Sequence, residues 1–321
     1  SKANAEMQRK NFEMQTKLFN EKVISQQEYN NAEAQYAMAK AQYEAAEKQY
    51  LQNNIKQSIP SFKSYISSFP NGIHALQANF YLAQAYFSEG QEKQSIPNYE
   101  YVTAKSRNEF TEQSLARLAQ IYLKTKDYAK TTEVLKRLET EADYPQNVTY
   151  AQSNLMKTYY EQKDYTNAVI YADKVLANAK ADDKVKADAQ IIVARSAIQT
   201  NDEVKARVAY AKLATISKGE LAAEALYYDA YFKNKDGKFE ASNTAVQKLT
   251  KDYSGYQYFG AKGLLLMAKN FYGLKDSYQA TYILESLIKN FTQYPDVVEE
   301  SQKVLNEIKA QEAKTNSSIQ N

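Results

Sequence analysis

The side chains that most often carry acid–base, nucleophilic or metal chemistry are scarce in this chain. Its 321 residues include one histidine, His74, and no cysteine. A zinc centre or a Ser/His/Asp triad would have to be built around that single imidazole, and disulfides, thiolate nucleophiles and thiolate metal ligands are excluded. His74 is therefore expected at a helix start, in a surface or packing role. Gly255, Gly260 and Gly263 miss the spacing of a phosphate loop or a dinucleotide fingerprint. The acidic pairs Asp182-Asp183 and Glu299-Glu300 fall at turns or helix starts, where the helix dipole favours carboxylates, and nothing near them implies the cleft that glycoside hydrolysis needs. The expectation is a chain that is not an enzyme and uses no cofactor or metal. What remains is aromatic: 28 tyrosines and no tryptophan, able to stack a sugar or base but mostly placed at periodic slots that favour packing between helices.

The elements that hold these residues are helices. Gly and Pro number 8 and 5, few chain breakers for this length, and no alternating β-branched run is present. Lys plus Arg number 41 against 38 Asp plus Glu, interleaved along the chain, which reads as solvated helix faces without a nucleic-acid surface. No apolar run approaches the ~18 residues that a membrane span requires. The fold class is all-α.

A repeat organises the helices. Leu118-Ala119-Gln120-Ile121-Tyr122 leads to Lys126-Asp127-Tyr128 and Thr131; Leu155-Met156-Lys157-Thr158-Tyr159 leads, at the same offsets, to Lys163-Asp164-Tyr165 and Ala168. An upstream copy runs from Leu82-Ala83-Gln84-Ala85-Tyr86 to Gly90-Gln91-Glu92 and Ser95. Indexed on the Ala119 slot, the copies fall at Ala46, Ala83, Ala119, Met156, Ala194, Ala230 and Lys269, with spacings of 37, 36, 37, 38, 36 and 39. A fixed period of this size signals a helical repeat array, one helix–turn–helix unit per copy. The pattern resembles the tetratricopeptide repeat (TPR) over roughly residues 50–309. That resemblance implies a right-handed TPR-type α-solenoid of about seven helix pairs, closed by a polar capping helix from Asp296, with the array spanning residues 53–312 and a disordered tail at 313–321.

Residues 1–52 differ. Tyr29, Tyr36, Tyr43 and Tyr50 recur every seven residues with Ala32, Ala39 and Ala46 between them, and Met7, Asn11, Met14 and Leu18 make a weaker seam. Ser25 and Glu28 form a capping box, so an antiparallel coiled-coil hairpin with its tip near 20–25 is expected. This stretch resembles the hairpin of periplasmic efflux adaptors (membrane fusion proteins), where Leu18 and Ser25 would be tip residues, although Met14 stands in place of the family's Arg. The run from Phe69-Pro70-Asn71-Gly72 to Tyr86 resembles cell-envelope TPR proteins, including a β-barrel-assembly lipoprotein and a Tol-Pal coordinator whose coiled coil precedes its repeats.

In a stack of helix pairs the first helices line the concave face, and one exposed slot follows the small residue. Here that row is Gln84, Gln120, Lys157, Arg195, Tyr231 and Asn270, with Phe80 and Tyr227 among the residues one turn earlier. Together they are expected to line a groove for a protein or peptide partner. The functional expectation is a protein-binding scaffold or adaptor of the bacterial periplasm or cell envelope, a cytoplasmic site being also compatible. Residues 1–52 would serve for docking or homo-oligomerisation. The alternatives are an efflux-adaptor tip fused to repeats, an envelope-assembly or cell-wall coordinator, and a tyrosine-based glycan binder. The helical composition directly after Ser1 is expected of a processed or excised chain.

Overall fold

The computed structural model describes residues 14–20 and 24–319. Among these there are sixteen helices and no strand. Helix α1 covers residues 14–20. It is followed by α2 (Gln26–Leu51), α3 (Ile55–Ser68), α4 (Ala75–Ser88), α5 (Glu92–Thr103), α6 (Thr111–Thr125), α7 (Tyr128–Glu141) and α8 (Pro145–Glu161). Then come α9 (Tyr165–Ala177), α10 (Asp183–Gln199), α11 (Glu203–Ile216), α12 (Gly219–Lys235), α13 (Phe239–Asp252), α14 (Gln257–Gly273), α15 (Ser277–Asn290) and α16 (Pro295–Ile319). The chain forms two compact units, Ser1–Thr158 and Tyr159–Asn321. In each, the all-α, TPR-type arrangement of helix pairs expected from the repeat is present.

One turn geometry, repeated seven times, makes the pairs. Each first helix ends on a residue with positive φ: Asn53, Gly90, Lys126, Lys163, Asn201, Gly237 and Lys275. The next residue sends its N–H back five positions, as in Asp127 N–H to the Tyr122 carbonyl at 3.0 Å and Asp276 N–H to the Phe271 carbonyl at 2.9 Å, the Schellman closure of a helix C-terminus. A left-handed conformation costs a residue with a Cβ about 1–2 kcal/mol. Where Lys126, Lys163, Asn201 and Lys275 bear that cost, the following Asp127, Asp164, Asp202 and Asp276 each cap the second helix through the side chain, which contributes about 1 kcal/mol. Where glycine removes the strain, at Gly90 and Gly237, the following Gln91 and Lys238 make no side-chain cap.

Four residues after each cap position a small side chain is fully buried: Ser58, Ser95, Thr131, Ala168, Ala206, Ser242 and Ala280, all at 0 % exposure. The first helices bury Ala46, Ala83, Ala119, Met156, Ala194, Ala230 and Ala268, also at 0 %. Each of these lies seven residues before its left-handed turn residue. The last copy is thus indexed by Ala268, and the sequence reading, which placed it on Lys269, is one residue out of register there.

Ser25 closes α2 as expected. Its hydroxyl accepts from Glu28 N–H and the Glu28 carboxylate accepts from Ser25 N–H. Phe19 stacks on Tyr29 at 4.8 Å, and Gln15 shares a recess with Tyr36 and Ala39, so α1 runs antiparallel to the first half of α2. Residues 1–13 and 21–23, which include Met7, Asn11 and part of the expected tip, lie outside the described residues. The rest of α2 does not stand apart: Ala39, Tyr43 and Ala46 share one core with Phe62, Tyr65, Ala78, Leu82 and Tyr86. Residue 52 therefore sits in a turn inside the first helix pair. At the other end α16 continues to Ile319, so residues 313–319 are helical where a disordered tail was expected.

His74 packs at the start of α4, its ring 4.1 Å from that of Tyr43 and nearly parallel to it. Burial holds the imidazole below its ordinary range, against the pull of the Glu47 and Glu44 carboxylates and with a smaller push from Lys40. A histidine kept neutral by folding binds its proton more readily in the unfolded chain. Stability is then complete above the unfolded pKa of about 6.5 and falls as pH drops toward the lower folded value, by at most about 1.4 kcal/mol per pH unit. Urea unfolding midpoints should decline from pH 7 to 5, and His74→Phe, which keeps the stacking, should flatten that decline.

Candidate functional site

In the unit Tyr159–Asn321, a recess of ≈ 220 Å³ is lined entirely by first helices. Helix α8 supplies Tyr160, α10 supplies Arg195, Ile198 and Gln199, α12 supplies Glu224 and Tyr228, and α14 supplies Tyr258, Phe259 and Lys262. The repeat puts them there: successive first helices, each ended by the same C-terminal closure, turn the same side to the recess. Glu224 is its deepest charge, 3 % exposed. Arg195 Nε and Nη2 donate to its two carboxylate oxygens at 2.9 and 2.5 Å, and the Tyr210 hydroxyl donates to Oε1 at 2.9 Å. The hydrogen bond to Glu224 holds the Arg195 guanidinium above its ordinary range, and burial with the Glu224 charge pushes the Tyr210 phenol up.

Lys262 is different. Its ammonium lies 4.7 Å from the Tyr227 ring centre and 5.5 Å from that of Tyr258, held by cation–π attraction. Burial lowers its pKa, with Asp296 and Glu224 pulling the other way from beyond ion-pair distance. The exposed Asp296 is occupied by the Tyr258 hydroxyl at 2.8 Å, whose own pKa is pushed up to about 12 by burial and that bond. Tyr228 stacks on Tyr210 at 4.0 Å and closes the wall beside Glu224.

A second recess, ≈ 740 Å³, lies in the unit Ser1–Thr158 between α6 and the start of α8. Glu112 accepts the backbone N–H groups of Asp143 and Tyr144 and the Asn147 amide at 3.0, 3.2 and 2.6 Å, tying α6 to the beginning of α8. Arg117 covers the Phe87 ring at 4.4 Å and donates to Gln120 Oε1 at 3.2 Å. Tyr144, 61 % exposed, stands at its rim.

The structure divides the eight residues expected to line the groove. Gln120 and Lys157 are exposed, and Arg195 and Tyr231 are half-buried. Gln120 and Arg195 line the two recesses. Phe80 is buried under Phe110, their rings 4.3 Å apart. Gln84 is buried as acceptor of the Tyr99 hydroxyl at 2.7 Å. Tyr227 is buried beneath Lys262 and so forms a floor. Asn270 is fully buried among α12 and α13, donating to Ser242 Oγ and Asn243 Oδ1. Its place on the face is taken by Lys269, as the corrected register requires. At the other end, Leu18 is half-buried and Ser25 is exposed.

Glu224, Tyr228, Tyr258 and Lys262 escape the sequence reading. A signal for two of them existed: Lys262 and Glu224 lie seven residues before Lys269 and Tyr231, hence two turns down the same helical face. Among the described residues no group of three or more His, Cys, Asp or Glu is placed to hold a metal ion, and no helix is long and apolar enough to cross a membrane.

No protein-family model and no curated protein matches the chain. Solved structures do. The C-terminal part of a TPR repeat-containing protein from Cytophaga hutchinsonii is 12 % identical with a TM-score of 0.53, covering 80 % of this chain and 98 % of its own. A tetratricopeptide repeat protein from Parabacteroides merdae is 14 % identical with a TM-score of 0.40, covering 82 % and 98 %. PilW, a type IV pilus biogenesis factor, is 16 % identical with a TM-score of 0.44, covering 70 % and 97 %. At 12 % identity the likeness to the Cytophaga protein is one of fold.

Proposed function

We propose that this chain is a non-enzymatic protein-binding scaffold that holds polypeptide segments on the first-helix faces of its helix pairs. One observation carries the reading: the recess of the second unit is lined by four successive first helices and by no second helix. A linear segment crossing parallel helices meets the same slot once per repeat, which suits an extended partner. The lining is aromatic and cationic, and its acid, Glu224, is committed to Arg195 and Tyr210, so the site offers adhesion without an available acid–base pair.

The setting in the bacterial cell envelope, and the use of the α1–α2 hairpin with Leu18 and Ser25 for docking or self-association, extend this proposal. They rest on the sequence resemblances alone. Site-specific photo-crosslinking tests the central reading. p-Benzoylphenylalanine at Gln120 or Gln199, on first helices, should yield polypeptide adducts in the native cell. The same probe at Val204 or Tyr278, exposed on the second helices α11 and α15, should yield few. Adducts confined to the second helices, or none on the first, would remove the scaffold face from the account.

A further inference from the structure

The recess of the first unit, between α6 and the start of α8, has a lining of another kind. At ≈ 740 Å³ it falls within the about 300–1,000 Å³ of small-ligand sites, yet of its nine lining residues only Ala116 has a wholly apolar side chain. An apolar ligand finds little there. The lining charges are Glu109 and Glu112 against Arg117, and the neighbouring Arg107–Asp143 pair adds no net charge, so an anion is disfavoured as well. The amides are already oriented. Gln120 accepts from Arg117, which leaves its own N–H groups to donate. Asn147 donates to Glu112, which leaves its carbonyl to accept, and the exposed Gln113 offers both. Tyr144 has its backbone fixed on both sides, the N–H by Glu112 and the carbonyl by Asn147 N–H at 2.9 Å, while the residue stays largely in water. Neither its ring nor that of Tyr150 stacks on another aromatic ring among the described residues.

We propose that this recess binds a short neutral oligosaccharide, one sugar ring lying against Tyr144 and its hydroxyls meeting Gln113, Gln120 and Asn147. A hydroxyl donates and accepts at one atom, which suits a lining of interspersed donors and acceptors, and the C–H face of a pyranose suits the face of a tyrosine ring. An extended polypeptide is matched less well, because the recess occupies a single gap, lined from α6, α8 and the turns before them, and does not run across successive repeats. The inference goes beyond the scaffold reading and gives the first unit a ligand of a second class.

The test is ¹⁵N NMR of the full chain labelled at its asparagine and glutamine side-chain amides, titrated with cellobiose, chitobiose and maltose to about 20 mM, well above the roughly millimolar Kd of a weak site. At least one of the three should shift the Gln113, Gln120 and Asn147 signals saturably. Tyr144→Ala should weaken that binding roughly tenfold, as truncation of an aromatic anchor does, and Tyr144→Phe should keep it, since the ring face is what the sugar meets. Because Tyr144 is exposed, both variants should hold the parent Tm to within about 2 °C. No shift with any of the three sugars, or undiminished binding by Tyr144→Ala, would overturn the proposal. Should Tyr144→Ala fold poorly, Gln113→Ala decides: about threefold weaker binding supports the site, and unchanged binding removes it. Blocked trialanine shifting the same signals while the sugars do not would assign the recess to a polypeptide, and tighter binding of a glucuronate-containing disaccharide would overturn the choice of a neutral ligand. Crosslinking at Gln199, in the other unit, tests the scaffold reading separately, so either conclusion can fail alone.

Discussion

Arg195→Met is expected to lower the Tm by roughly 6–12 °C, from a loss of about 3 kcal/mol in a body of this size. The reason is what the substitution leaves behind. Glu224 is 4 % exposed at its side chain while Arg195 is 39 % exposed, so removing the guanidinium strands a buried carboxylate with only the Tyr210 hydroxyl to hold it. The usual range for breaking a buried pair is about 3–5 kcal/mol, and the lower end applies because water already screens the arginine side. Replacing both partners should recover most of the loss, since Arg195→Met with Glu224→Leu leaves no orphaned charge. Chemical denaturation of the two single variants and the double variant measures this as a coupling energy. If Arg195→Met is as stable as the parent, the pair is not the structural pin that its geometry describes. Charge reversal at Arg195 would therefore perturb folding and binding together, which is why Lys262, with no ion pair to lose, is the better probe of the recess.

The fold was legible because its punctuation is local. Lys126-Asp127 and Lys163-Asp164 encode a left-handed turn and a cap in two adjacent residues, and small residues at fixed offsets from them mark where helices are fully buried. The expected groove was legible only in part, since a row predicted by spacing says which way a side chain points and not what covers it. Gln84 is buried against Tyr99 of α5, fifteen residues on. Phe80 is buried against Phe110. Glu224 and Lys262 lay two turns below the row inspected, and their meaning depends on Arg195 and Tyr227 from neighbouring helices. Pairing across 29 to 35 positions of sequence leaves no trace in a local pattern. The boundary at residue 52 failed for a related reason. The heptad of Tyr43 and Tyr50 reads as a coiled coil when its partner is sought upstream, but Phe62 and Tyr81 are the rings it meets.

At the last repeat a one-residue slip changes the expected outcome of mutation from small to large, and two neighbouring substitutions measure it. Asn270→Leu should cost about 2–3 kcal/mol. The Asn270 amide donates to Ser242 Oγ and Asn243 Oδ1, both at 2.8 Å, and its carbonyl accepts from Asn234 Nδ2 at 2.6 Å. Leucine would leave Asn243, 8 % exposed, without its donor, and each buried polar group so stranded costs about 1–3 kcal/mol. Asn234 is half-buried and can turn to water, while Ser242 keeps its bond to the Ala230 carbonyl, so the three losses do not add in full. Lys269→Met breaks a 2.8 Å ion pair to Glu300 whose side chains are 37 % and 39 % exposed, and should cost no more than about 1 kcal/mol. A helix turns about 100° per residue, so the two positions report on different environments: one inside the α12, α13 and α14 junction, the other partly exposed and paired with Glu300 of α16. Urea unfolding of the two variants decides between the registers. A costly Lys269→Met beside a silent Asn270→Leu would restore Lys269 to the packing slot and return Asn270 to the groove.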